Sequence, residues 1–209
     1  MVKSIEAVVF DLYGTLAYIA NNTKPYHRLL REMQPTPDEA RMASVLALTE
    51  DFHSFSDFIR KIRRGALVDI QSYEKEIAQE VASVKLFPDT IPTLKRVKDN
   101  DISIGLISNL ASPYVKPFFD LGLDKYVDIP LFSCHAGLRK PDSRIYDLML
   151  SSFGVDPSRV LIVGDNPNSD VSVPKSLGMQ SILLDRSNKS NYSPRISSLL
   201  GIFYVYDIV

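Results

Sequence analysis

The chain changes rhythm along its length. Val8-Val9-Phe10 is an apolar run of strand-forming residues that stops at Asp11 and continues as Leu12-Tyr13-Gly14-Thr15-Leu16. Such a run, bounded by turn residues, predicts a buried strand whose end delivers a carboxylate into a cleft. Gly14 lets the chain turn there, because a residue without Cβ accepts backbone angles that others avoid. From about residue 26 to residue 84 the spacing becomes helical. Phe55, Phe58, Ile59 and Ile62 stand at i, i+3, i+4 and i+7, one apolar stripe on a helix, and Ile70, Tyr73, Ile77, Val81 and Val84 suggest another. Pro25, Pro35 and Pro37 punctuate this stretch, Gly65 is its only glycine, and no convincing strand interrupts it. Packing accounts for most of its apolar residues.

An α/β rhythm then resumes. Phe87-Pro88-Asp89-Thr90 is a break before a helix over residues 91–100, and residues 102–107 read as a second buried strand ending in Ser108-Asn109. A helix over 114–121 leads to a short apolar segment at 129–132, then Gly137-Leu138-Arg139-Lys140-Pro141 and a helix over 142–153. Residues 159–163 form a third strong strand, ending in Gly164-Asp165-Asn166-Pro167-Asn168-Ser169-Asp170; a helix at 170–177 and a strand at 181–184 follow. The tail, 193–209, adds a helix and an aromatic-rich end. Strands alternating with helices argue for a parallel sheet with right-handed crossovers.

In such a sheet ligands bind outside the carboxyl ends of the strands. Three strands end in polar or charged groups: Asp11, then Ser108-Asn109, then Asp165 with Asp170. Although far apart in sequence, these groups share one edge, and Lys140 sits in a loop on the same side. Singly, each has a plainer role: Ser108 as a helix cap, Asp165 as a turn residue, Lys140 as a solvated charge. Together, in this order at strand ends, they point to function. Three carboxylates brought together repel, and one is pushed toward protonation unless positive charge compensates. Lys140 supplies one charge; a hard divalent ion held by oxygen ligands would supply more, and Mg²⁺ suits one or two carboxylates plus water and a substrate phosphate.

Composition narrows the picture. The 209 residues are 45% hydrophobic and 23% charged, ordinary for a soluble globular protein, and the net charge of −1 gives no sign of nucleic acid or an anionic membrane as partner. Glu6 and Asp11 interrupt the first apolar stretch, so no secretion signal is expected. The lone cysteine, Cys134, excludes an internal disulfide and fits a cytoplasmic location. Cys134 and His135 are neighbours that a strand would point to opposite faces, which argues against a thiol–imidazole pair. His27, His53 and His135 lack metal-ligand spacing, and no glycine-rich phosphate loop occurs.

In Asp11-Leu12-Tyr13-Gly14-Thr15, Ser108-Asn109, Lys140 and the run from Gly164 to Asp170, the chain resembles the haloacid dehalogenase-like (HAD) hydrolases. The match runs in order along the whole chain, with residues 17–84 at the place of the family's helical cap. It implies a Rossmann-like α/β core at 1–16 and 85–209 with that cap inserted. It further implies that Asp11 is a nucleophile, with Ser108 and Asn109 binding phosphoryl oxygens and Lys140 neutralising charge. Asp11, the Tyr13 carbonyl and Asp165 would hold Mg²⁺, supported by Asp170. The expected activity is hydrolysis of a small phosphorylated substrate through an aspartyl-phosphate.

One position departs from that pattern. Phosphatases of the family usually carry a second Asp two residues after the nucleophile as general acid and base; here it is Tyr13, as in the family's dehalogenases. General acid–base catalysis is worth about 10²–10⁴-fold. The dehalogenases work without metal and lack an acidic counterpart of Asp165, so Asp165 favours the phosphatase. The alternatives are a 2-haloacid dehalogenase acting through an aspartyl ester, with Arg28, Arg31 or Arg41 holding the substrate carboxylate, and a low-turnover binding or regulatory protein. Substrate identity and oligomeric state are not written in these motifs.

Overall fold

The computed structural model describes residues 4–62, 68–206 and 208; Gly65 lies outside them. The first strand, β1 (Ala7–Phe10), is fully buried, as its unbroken apolar run predicts. It is the middle of a six-stranded sheet. The chain leaves it through Asp11 and the turn at Gly14 and enters β2 (Ala17–Ile19). Four helices follow: α1 (Pro25–Met33), α2 (Pro37–Thr49), α3 (Phe55–Ile62) and α4 (Ile70–Ala82). The chain returns through β3 (Val84–Leu86), which pairs antiparallel with β2, Ala17 opposite Leu86 and Ile19 opposite Val84.

This ribbon corrects one expectation: Val84 ends the helical stripe in sequence but stands in a strand. Residues 17 and 84, the limits read for the cap, are the first residues of its two strands. Three-residue strands are too short to display an alternation. The stripes otherwise pack as expected: Phe55, Phe58, Ile59, Tyr73 and Ile77 are buried with Leu29, Ala43 and Ala47 in a cluster of their own. Proline starts α1 and α2, and α2 carries a capping box in which Thr36 Oγ1 accepts from the Glu39 amide at 3.3 Å while the Glu39 carboxylate accepts from Thr36 N at 2.8 Å.

The sheet is completed by α5 (Thr90–Asp99), β4 (Ser103–Ser108), α6 (Lys116–Asp120), β5 (Ile129–Phe132), α7 (Ser133–Ala136), α8 (Ser143–Phe153), β6 (Val160–Gly164), α9 (Val173–Ser176), β7 (Gln180–Leu184), β8 (Arg195–Ile196) and α10 (Ile202–Val205). Its strand order is β5-β4-β1-β6-β7-β8, parallel throughout. The two-residue periodicity of a strand divides the core. Val8 and Phe10 face one layer with Ile104, Leu106, Leu94 of α5 and Phe118 of α6. Ala7 and Val9 face the other, under Ile145, Tyr146 and Met149 of α8.

Two further expectations change. Cys134 and His135 lie on a helical turn, α7, not on a strand. The helix expected at 170–177 begins instead as a wide π-type turn over Pro167–Ser172 before α9. Asn166 caps that turn, accepting from the Asn168 and Ser169 amides at 3.0 and 3.1 Å. The sixth strand, β8, was hidden in a tail that reads as helical. Among the described residues no helix is long and apolar enough to cross a membrane.

Candidate active site

β1 lies between β4 and β6 with Phe10 level with Leu106 and Val163. Asp11 therefore emerges one residue beyond the ladder, its amide donating to the Val163 carbonyl at 3.0 Å. Ser108 closes β4 and is buried; Gly164 closes β6, and Asp165 follows it, exposed toward the cleft. Parallel pairing thus brings the ends of three strands to one edge, as the sequence predicts.

Lys140 enters from the loop before α8. It is only 4% exposed, and its Nζ donates to Asp11 Oδ1 at 2.8 Å and to Asp170 Oδ1 at 2.6 Å. A buried ammonium is tolerated because two carboxylates meet it. Asp170 is buried too, and its second oxygen accepts from the Asn166 amide at 3.0 Å. The wide turn at 167–172 thus holds Asp170 against Lys140. Thr15 Oγ1 adds a longer contact to Asp11 Oδ2, 3.4 Å. Asn109, expected to bind substrate, also holds the Lys140 backbone. Its amide group donates to the Lys140 carbonyl at 2.7 Å and accepts from the Lys140 N–H at 2.8 Å. Asn109 positions the lysine.

The charges are unbalanced. Asp11, Asp165 and Asp170 present carboxylate oxygens within 4.8 Å of one another. Burial pushes the Asp11 carboxyl above the usual range; Lys140 opposes this, while Asp170 and Asp165 add to it. Asp165 is pushed up as well, by the water displaced around it and then by Asp170. Burial alone would drive Lys140 down, but Asp11 and Asp170 outweigh it and hold its ammonium well above the ordinary lysine value. One cation against three carboxylates leaves net negative charge in a half-enclosed cleft. That donor set, all hard oxygens, fits a divalent cation such as Mg²⁺.

Two glycines make the cluster possible. A Cβ on Gly14, whose φ is +90°, would come within 2.2 Å of Asp165 Oδ2, and one on Gly164 within 2.3 Å of Asp170 Oδ2. Both carboxylates lie against bare backbone.

Tyr13 turns its hydroxyl to the Tyr114 carbonyl, 2.8 Å away, and its ring meets Tyr114 edge-on at 6.1 Å. Burial, then the charge of Glu80, pushes its phenol above the ordinary value. Tyr114 in turn donates to Glu80 Oε1 at 3.0 Å, and Glu80 Oε2 accepts from Thr23 N, Thr23 Oγ1 and Lys24 N at 2.9, 2.8 and 3.0 Å. Glu80 was missed in the sequence, where it reads as one more polar position on α4. So was Arg186, which grips Asp89 through two bonds of 2.9 and 3.0 Å and donates to the Thr15 carbonyl at 2.7 Å. It ties the loop after Asp11 to the end of β7, and no local motif marks it. A cavity of about 400 Å³ opens between core and helices, bounded by Tyr13, Asn109 and Tyr114 on one side and by α1, α2 and α3 on the other; the carboxylates of the cluster are not part of its wall, but Tyr13 lies two residues from Asp11 and Asn109 follows Ser108.

The chain belongs to the haloacid dehalogenase-like hydrolase family, whose sequence model matches residues 5–178. Its fold is similar to that of a HAD phosphatase from Thermococcus onnurineus, at 24% identity and a TM-score of 0.68, covering 96% of this chain and 97% of that one. It is equally similar to a 2-haloacid dehalogenase from Pseudomonas syringae pv. Tomato DC3000, at 23% identity and a TM-score of 0.67, with the same coverage of 96% and 97%. In sequence it resembles a ribulose-1,5-bisphosphate 5-phosphatase from Halopiger xanaduensis, 29% identical over 52% of this chain and 46% of that protein. The chain thus spans less than half the length of that curated relative.

Proposed function

We propose that this hydrolase is a Mg²⁺-dependent phosphomonoesterase that works through an aspartyl-phosphate. The observation that carries the reading is Asp165, which presents a carboxylate oxygen within 4.8 Å of one from Asp11 and one from Asp170. A metal-free aspartyl-ester mechanism has no use for a further carboxylate there; a cation site does. Asp11, the Tyr13 carbonyl and Asp165 would hold the ion, with Asp170 in support. Bound Mg²⁺ would neutralise phosphoryl oxygens as a Lewis acid.

The residues themselves divide the remaining work. Lys140 fixes Asp11 Oδ1, which leaves Oδ2 to attack phosphorus and displace the alcohol. Lys140 stays protonated throughout, since both its partners favour the ammonium. Ser108 lies beside the nucleophile at the end of β4 to receive a phosphoryl oxygen. Water then cleaves the P–O bond of the aspartyl-phosphate and regenerates the Asp11 carboxylate. The Tyr13 hydroxyl is committed to the Tyr114 carbonyl, so the leaving alkoxide takes its proton from water. Residues 17–84 serve as a cap on a core of 1–16 and 85–209, and the β2–β3 ribbon is the joint between them.

The second reading, a 2-haloacid dehalogenase, is favoured by Tyr13. It requires an arginine facing the substrate carboxylate. Among the described residues none lines the cavity: Arg28 is bonded through both terminal nitrogens to Glu76, Arg41 pairs with Asp38 at 3.1 Å, and Arg31 is exposed on α1. A panel of phosphomonoesters and 2-chloro- and 2-bromo-acids, assayed with Mg²⁺ and with EDTA, decides the matter. Phosphate release abolished by EDTA is expected; halide release indifferent to EDTA would establish the dehalogenase, and no turnover of either class would leave a binding protein.

A further inference from the structure

The cavity bounded by Tyr13 and Asn109 has a chemistry of its own. Its volume of about 400 Å³ lies within the range of small-molecule sites, and its walls include Leu30, Ala47, Leu48 and Phe58 from the helices and Leu110 and Tyr114 from the core. The loop after β1 reaches it through Tyr13, two residues beyond Asp11, and the end of β4 through Asn109, which is bonded to the Lys140 backbone. A substrate whose phosphate sits at Asp11 would extend its remaining part past Tyr13 and Asn109 into this cavity.

The charged groups on its wall are few and unevenly placed. Glu80 is buried, 3% exposed, and both its oxygens already accept hydrogen bonds from Thr23, Lys24 and Tyr114. The basic side chains that line the cavity, Lys24 and His27, are exposed to solvent, and no arginine lines it among the described residues. A carboxylate or second phosphate pushed inside would lose its water, face Glu80 and find no buried cation. Burying an unpaired charge is costly, whereas apolar surface gains on leaving water.

Resting on the phosphatase reading, we propose that the substrate is a phosphate monoester of an uncharged, largely apolar alcohol, whose hydrocarbon body fills this cavity. Selectivity then comes from volume and apolar contact rather than from a second anionic anchor.

The test is a series of straight-chain alkyl phosphates from methyl to octyl, with 2-phosphoglycolate and phosphoserine as charged comparators, all at saturating Mg²⁺. The expected result is a kcat/KM that rises about three- to fourfold per methylene until the cavity is full, then levels or falls. The charged esters should be at least tenfold poorer than butyl phosphate. Two wall variants sharpen the outcome. Ser44→Phe should move the optimum to shorter chains and Leu48→Ala to longer ones; opposite shifts cannot arise from general damage to the fold. A flat chain-length profile, or a preference for either charged ester, overturns the inference and leaves the phosphatase standing. Hydrolysis of no ester at all overturns the phosphatase reading, and this inference with it.

Discussion

The two sides of Tyr13 are built by opposite rules. On one side, at the carboxyl edge of the sheet, Asp11, Lys140 and Asp170 are buried and bonded to one another at 2.6 to 2.8 Å through the lysine. On the other, the helical wall presents Leu30, Leu48 and Phe58 to the cavity, and its buried carboxylate, Glu80, holds Tyr114 and the residues just before α1 to α4. The edge is defined by charges that must meet within hydrogen-bonding distance, so few residue types can serve. The wall is defined by shape, and many apolar residues would serve as well. The first can be read as a motif; the second cannot.

The largest effect should come from the edge. Asp11→Asn keeps the size of the side chain and removes the nucleophile's charge, so every hydrolytic activity should fall by several orders of magnitude. Retention of even about a tenth of wild-type turnover would remove Asp11 from the mechanism and dissolve the contrast.

Lys140→Met tests whether the edge is balanced by that one ammonium. The change leaves Asp11 and Asp170 buried without their cation, and breaking a buried pair in this way costs about 3–5 kcal/mol. The pH dependence has a definite sign. The Asp11 carboxyl is raised by burial, so its ionisation opposes folding, and stability falls as pH rises through its titration. Without Lys140 nothing counters that trend. The deficit, measured by urea unfolding in EDTA, should be largest at neutral pH and shrink in acid, where Asp11 is protonated in wild type and variant alike. A deficit that is constant with pH would show that the methionine merely packs badly.

Tyr13 stands between the regions, and replacing it probes both. Tyr13→Asp would supply a carboxyl group at the position where phosphatases of the family keep their acid and base. Alkyl-phosphate turnover should then rise within the roughly 10²–10⁴-fold range of such catalysis, and aryl phosphates with good leaving groups should gain less. In a dehalogenase the added carboxylate would instead disfavour ionisation of Asp11. Loss on haloacids without gain on phosphoesters would defeat the phosphatase reading.

The same contrast explains what the sequence disclosed. Asp11, Ser108 and Asp165 were legible as neighbours because a parallel sheet carries strand ends to one edge whatever their separation along the chain, and Lys140 and Asp170 because they stand in the loops on that side. The runs of β1, β4 and β6 were legible because burial on both faces leaves them almost wholly apolar. What stayed hidden depends on partners remote in sequence. The hold of Asn109 on the Lys140 backbone and the span of Arg186 from Asp89 to Thr15 join residues that no local motif connects. The β2–β3 ribbon and β8 were hidden because strands of two or three residues carry no period.

The smallest expected effect lies at the joint between the regions. The Tyr114 hydroxyl donates to Glu80 Oε1 at 3.0 Å, while its backbone carbonyl accepts from Tyr13. Tyr114→Phe removes the first bond and keeps the second. Glu80 retains the Thr23 and Lys24 donors on its other oxygen, so no carboxylate is left bare. The cost should be that of one hydrogen bond to a charged group, about 1.5–3 kcal/mol by thermal or urea unfolding. Because the wall acts through shape and the ring remains, kcat on a small phosphomonoester should change less than about threefold. A fall of a hundredfold or more with the fold intact would mean that the Tyr114–Glu80 pair takes part in proton transfer. The division between a charged edge that reacts and an apolar wall that selects would then have to be redrawn.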